Sequence, residues 1–108
     1  MSVSALTQLE SARALALSNG GYYQNILPGI MPIIGASANA NIEIQRWGAD
    51  FLAEAFASPA FPSDAKAVSA LTVLATLKEY LEMVADSSVI RSAVQAAASI
   101  YPLVYRHM

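Results

Sequence analysis

The chain has 108 residues, a net charge of −2 and only six Lys and Arg. Such a balance excludes the basic footprint needed to hold a nucleic-acid backbone. With no cysteine there is no disulfide frame, thiolate zinc site or cysteine nucleophile, and an apolar content of 56 % exceeds the ~45–50 % usual for soluble domains.

Residues 2–17 read as a first helix, with Ser2 or Ser4 as cap and Leu6, Leu9, Ala12/Arg13 and Leu17 along one face. Asn19-Gly20-Gly21 stops it. Residues 22–34 form a second helix, kinked or split by Pro28 and Pro32. Its apolar residues run nearly all round, so burial on more than one side is expected. The stretch is too short and too rich in Pro and Gly to cross a membrane. No signal-peptide pattern precedes it, so an intracellular place is expected.

Asn39 or Asn41 then caps the most regular segment, residues 41–56. Ile44, Trp47, Gly48, Phe51, Leu52, Ala55 and Phe56 recur at spacings of three and four, the mark of one buried helix face. Glu43, Arg46, Asp50 and Glu54 fall opposite. The segment ends near Ala57, and Ser58-Pro59-Ala60-Phe61-Pro62 makes a stiff connector. A fourth helix, capped by Ser63 or Asp64, runs to about Ala85 with Val68, Leu71, Leu74, Leu77 and Leu81 as its apolar face. Asp86-Ser87-Ser88 is a turn and cap, and a fifth helix covers residues 89–100. Pro102 bends or ends it, and residues 103–108 add another turn or two.

Val89-Ile90-Arg91 echoes Ile44-Gln45-Arg46 at an offset of 45 residues. That lies inside the ~40–47-residue period of HEAT and armadillo arrays. The expected fold is therefore all-α, an α-solenoid of HEAT-like helical hairpins with about five helices. Residues 2–18 are a cap, 22–57 one repeat and 63–107 the next. Leu103, Val104 and Tyr105 close the chain with no polar capping helix, as in an array cut short, and such an end can self-associate.

Catalysis finds no support. The sole histidine, His107, sits near the end of the chain, and no histidine follows a glutamate by three. Glu79, Glu82 and Asp86 read as a solvated helix back, and no phosphate loop is present. No cofactor or metal is expected. Trp47 reads as core, with a partner anchor as the alternative. The residues on which partner binding would rest are Glu43, Arg46, Asp50, Glu54, Arg91 and Gln95, joined by Ser99. They would line the concave surface formed by the second helix of each hairpin. The blander reading has Arg46 and Arg91 merely tying adjacent repeats together.

Residues 43–56, Glu-Ile-Gln-Arg-Trp-Gly-Ala-Asp-Phe-Leu-Ala-Glu-Ala-Phe, resemble the first repeat of the symplekin N-terminal HEAT domain. Residues 89–105 resemble the second, and the Ser-Ile-Tyr-Pro-Leu-Val-Tyr run at 99–105 is most similar to fungal members. The resemblance spans about residues 6–108. Pro28, Pro32 and the connector at 58–62 depart from the animal pattern. The resemblance implies a nuclear, non-enzymatic scaffold in pre-mRNA 3′-end cleavage and polyadenylation. Implied partners are subunits of the cleavage and polyadenylation factor and the phosphatase of the RNA polymerase II C-terminal tail. In the family that phosphatase is met mostly by repeats after the first two, so no contact residue is carried over. The competing expectation is a stand-alone helical bundle that homodimerises through its apolar surface.

Overall fold

A computed structural model describes residues 5–18, 23–36, 41–84 and 86–106. Among them are five α-helices and one 3-10 turn: α1 (Ala5–Ser18), the turn Tyr23–Asn25, α2 (Leu27–Ala36), α3 (Ile42–Ala57), α4 (Ser63–Met83) and α5 (Ser87–Arg106). The all-helical expectation holds. The Ser2/Ser4 cap, the Asn19-Gly20-Gly21 stop and His107 lie outside the described residues.

Local chemistry fixes most boundaries. The Asn41 side chain accepts from the amides of Glu43 (3.0 Å) and Ile44 (3.4 Å), opening α3 as expected of Asn at that position. Asp86 does the same for α5, accepting from the amides of Ser88 (2.9 Å) and Val89 (3.2 Å) and from the Ser88 hydroxyl. The second predicted helix is split. Tyr23–Asn25 forms its own turn, and Pro28 sits in the first turn of α2, where its missing amide would have had no intrahelical partner. Helix α4 opens on Pro62, not on Ser63 or Asp64, and Pro62 brings no side-chain cap. Helix α5 runs through Pro102 and past Ile100. The Ala98 carbonyl that Pro102 leaves without an amide is on an exposed residue, so water can take it, while Leu103 and Val104 pack against the core.

One core joins all five helices. It contains Leu9 and Ala16 of α1, Leu27, Ile30 and Ile34 of α2, Ile44, Phe51, Leu52 and Phe56 of α3, Val73, Leu77 and Tyr80 of α4, and Val89, Ala93, Ala96 and Ile100 of α5. The predicted face of α1 holds at Leu9 and Ala12 and moves only at its end, where Ala16 is buried and Leu17 is 45 % exposed. On α4 the correction is larger. The expected Leu77 is buried and Leu74 packs against the core, but Val68 is 86 %, Leu71 69 % and Leu81 41 % exposed, and Ala70, Val73 and Tyr80 are buried in their place. The connector does more than turn the chain. Phe61 is fully buried and packs its ring against Tyr23 and Phe56, with centroids at 6.0 and 5.2 Å. The Lys66 ammonium lies 5.8 Å from the Phe61 ring centre and donates to the Ser58 carbonyl at 2.9 Å, closing the connector over α3.

Helices α3 and α5 run in the same direction. Arg46 pairs with Asp86 and Asp50 with Ser92, so both sequences advance together along the contact. Helices α2 and α4 also run together: Leu27 and Pro28 share a groove with Val68 and Ser69, while Ile34, a turn or two on, meets Tyr80. Gly48 is where the two sets meet. A Cβ built there would lie 2.6 Å from the Tyr80 hydroxyl and 3.0 Å from Ile34 Cβ. The Tyr80 hydroxyl donates to the Ile34 carbonyl at 2.9 Å, in the last turn of α2 where intrahelical donors run out. Burial is the main reason the Tyr80 phenol is pushed well above its ordinary pKa, with the nearby Glu79 adding to the rise.

The Gly48→Ala variant will therefore be less stable. Ala gains ~0.5–1 kcal/mol of helix preference over Gly, but overpacking costs ~1–3 kcal/mol and displaces a buried hydroxyl from its acceptor. Tyr80→Phe will cost ~1–3 kcal/mol by stranding the Ile34 carbonyl. In urea unfolding the double variant should fall short of the summed losses by at least ~0.5 kcal/mol. Strict additivity would mean the three residues do not form one joint.

Candidate functional site

The six residues singled out from the sequence do not form one free row. Glu43, Arg46, Asp50, Arg91 and Gln95 are exposed, and Glu54 is half-buried. Three of them are engaged with other helices. The Arg46 guanidinium reaches the Asp86 carboxylate at 3.0 Å, tying α3 to the start of α5. Asp50 accepts the Ser92 hydroxyl at 2.5 Å, one turn further along the same contact. Glu54 turns the other way, to α1. Its two oxygens accept Nε and Nη2 of Arg13 at 2.8 and 2.5 Å, a fork-on-fork pair. Glu43 stands in the first turn of α3, where a negative charge suits the helix dipole. Arg91 and Gln95 project from the exposed side of α5.

Arg13 is the functional-looking residue that sequence reading placed on a buried face. The hydrogen bonds it donates to Glu54 raise its pKa, with partial burial working against the rise. Tyr23 stands next to the pair. Burial pushes its phenol up, Glu54 adds to the rise and Arg13 opposes it. The signal available in the sequence was a single basic residue within an otherwise apolar stripe. Such a residue needs either a water path or an acidic partner, and Glu54 is that partner.

Trp47 is neither wholly core nor wholly surface. One ring face stacks on the buried Phe51, with centroids 4.9 Å apart and planes within 7°. The residue is half-buried and lines a cleft of about 300 Å³ between α1 and α3, whose other walls are Glu10, Arg13, Asp50, Phe51 and Glu54. A second groove of about 490 Å³ lies between α2 and α4 and is largely apolar, with Leu27, Met31, Pro32, Val68 and Val73 among its walls. Among the described residues no group of His, Asp or Glu side chains is arranged to hold a metal ion. None of their helices is long and apolar enough to cross a membrane.

Asp86 concentrates the charge-dependent contacts. The Ser88 hydroxyl, the Val89 amide and the Arg46 guanidinium hold its carboxyl down at about 2, below the ordinary carboxylate value. A depressed folded-state pKa contributes stability above the unfolded value near ~3.9 and loses it as pH falls toward the folded value. Melting temperatures at neutral pH should thus rank wild type above Asp86→Asn above Asp86→Ala. The gap between wild type and Asp86→Asn should shrink from about pH 4 downward and be nearly closed near pH 2. A gap constant across that window would mean that the Asp86 charge contributes nothing to the fold.

Comparison of the chain with protein-family models, with curated proteins and with solved structures finds no match.

Proposed function

We propose that this chain is a non-catalytic protein-interaction scaffold, built as an α-solenoid of HEAT-like hairpins. The observation that carries the reading is a repeat in burial as well as in sequence. Ile44, Gly48, Phe51 and Ala55 of α3 are buried, and so are Val89, Ala93, Ala96 and Ile100 of α5, each 45 residues further on. The close side-by-side packing of α3 with α5 favours the same reading, because stacked hairpins place like helices in contact. The molecule's extents of 43 × 33 × 19 Å are also those of a slab about two helices deep.

The finer part of the proposal is a role in pre-mRNA 3′-end cleavage and polyadenylation, as the N-terminal portion of a symplekin-like subunit in the nucleus. It rests on the resemblance of residues 43–56 and 89–105 to that family. The partners would be subunits of the cleavage and polyadenylation factor, with the polymerase-tail phosphatase reached through further repeats. Arg91 and Gln95, exposed on α5, are the first residues on which such a contact would fall; Arg46, Asp50 and Glu54 also serve the fold.

A second reading, a bundle that homodimerises, is favoured by one observation. Val68 and Leu71 stand exposed beside the apolar α2–α4 groove. The two readings part on a calorimetric titration of purified cleavage and polyadenylation factor into the chain, combined with sedimentation over a hundredfold range of protein concentration. The scaffold reading predicts saturable binding that Arg91→Glu weakens at least tenfold, whether or not the chain self-associates. A dimer abolished by Val68→Lys with Leu71→Lys, together with no factor binding, would replace it with the bundle.

A further inference from the structure

We propose that the α1–α3 cleft seats an arginine side chain presented by a peptide segment of a partner protein. That the partner is a protein rests on the scaffold reading; the choice of arginine rests on the cleft itself. Its volume of about 300 Å³ stands at the bottom of the range for small-molecule sites. It has room for one long side chain.

The lining chooses the chemistry. Three acidic residues, Glu10, Asp50 and Glu54, line the cleft with one basic residue, Arg13. Arg13 is already committed, because both Glu54 oxygens accept from its guanidinium. Asp50 gives Oδ1 to the Ser92 hydroxyl, which keeps the carboxylate in place and leaves its other oxygen for a second donor. Glu10 is exposed on α1 three residues from Arg13, on the same side of that helix. The cleft therefore has two carboxylates in excess over its own cation, held on two helices across a narrow gap.

The aromatic wall narrows the choice from any cation to a planar one. Trp47 is stacked flat on Phe51, and Phe51 is fixed in the core with its edge against Tyr23. The indole is thus a braced platform whose plane is set by the helix, and it lines the cleft beside the carboxylates. A guanidinium is planar, weakly hydrated, stacks on aromatic faces and bonds carboxylates through a fork of donors. An ammonium shares only the charge. The cleft already contains one instance of guanidinium–carboxylate recognition, Arg13 on Glu54, a turn of α3 away from the unpaired Asp50 oxygen.

Trp47 is the only tryptophan in the chain, so its fluorescence reports on this cleft alone. The probe is an acetylated, amidated peptide Gly-Ser-Arg-Ser-Gly, titrated into the full chain beside its citrulline and lysine counterparts. Citrulline keeps the shape of arginine and removes its charge. Saturable quenching by the arginine peptide is expected, with at least fivefold weaker binding for citrulline and weaker binding for lysine. The Glu10→Gln, Asp50→Asn double variant changes two exposed side chains, and Asn can still accept from Ser92. It should keep the parent's thermal unfolding curve and lose at least tenfold in affinity. Equal affinity for the citrulline peptide, no saturable quenching, or unchanged binding by the double variant would each overturn the proposal. Equal or tighter lysine binding would overturn the arginine assignment. A failure here leaves the factor titration standing, since that measurement does not pass through this cleft.

Discussion

The packing of this molecule depends on an absence. Gly48 has no Cβ, and the space a Cβ would fill is occupied by the Tyr80 hydroxyl and the Ile34 side chain. That lets α2 and α4 come onto α3 at one point, and it brings the tyrosine hydroxyl within reach of a carbonyl in the last turn of α2. A glycine inside a helix costs ~0.5–1 kcal/mol in propensity. The joint more than offsets this by satisfying a buried carbonyl, which would otherwise cost ~1–3 kcal/mol, and by closing three helices without a void. Position 93, the equivalent of Gly48 on α5, carries alanine, and it too is fully buried. Small residues at both points let the parallel helices approach their neighbours closely.

Around that joint the polar residues set register more than they add stability. Arg46–Asp86 and Asp50–Ser92 lie along the α3–α5 contact, and Arg13–Glu54 fixes α1 to the far end of α3. Each is at least partly exposed, and solvent-screened pairs of this kind contribute little. Their geometry is more informative than their energy. A shift of one residue along α5 would part both α3–α5 bonds at once, whereas the alanine-rich apolar face of α5 could slide at modest cost. Asp86 serves twice, as cap for α5 and as partner for Arg46, so the start of the helix and its alignment are fixed by one carboxylate.

How much of this was legible in the sequence differs from helix to helix, for physical reasons. Residues 41–56 carry large apolar groups at helical spacing against charges on the other side, so both extent and buried face could be read. Helix α4 was given an apolar face that is only partly the buried one: Leu77 is in the core, whereas Val68 and Leu71 are exposed. Its Val, Leu and Ala residues are spread around the whole circumference, and no spacing rule ranks one stripe above another. The stripe that is buried contains Tyr80, whose hydroxyl has a partner only inside the core, and tertiary contact decided the matter. Pro102 was expected to bend or end α5, yet an exposed Ala98 and the packing of Leu103 and Val104 let the helix continue. Of the candidate site, Glu43, Arg46 and Asp50 of α3 are exposed on the side opposite its apolar stripe, as their spacing indicates, and Glu54 is half-buried. Their engagement with Asp86, Ser92 and Arg13 was not legible, because no local pattern couples residues 40 or so apart. The cleft behind Trp47 was invisible for the same reason: two of its walls come from α1, whose own face is weakly patterned.

The parallel, side-by-side course of α3 and α5 is what the proposed stacking of hairpins requires, and it can be measured as distances. The chain has no cysteine, so pairs of spin labels can be placed without background. Labels at Glu43 with Ser88, and at Ala57 with Tyr101, mark matching ends of the two helices, and all four residues are exposed. Labels at Glu43 with Tyr101 mark opposite ends. Dipolar spectroscopy should give short distances for both matched pairs, and one longer by about a helix length, ~20 Å at 1.5 Å per residue, for the crossed pair. A short crossed distance with long matched ones would make α3 and α5 antiparallel, and the repeat architecture would fall with it.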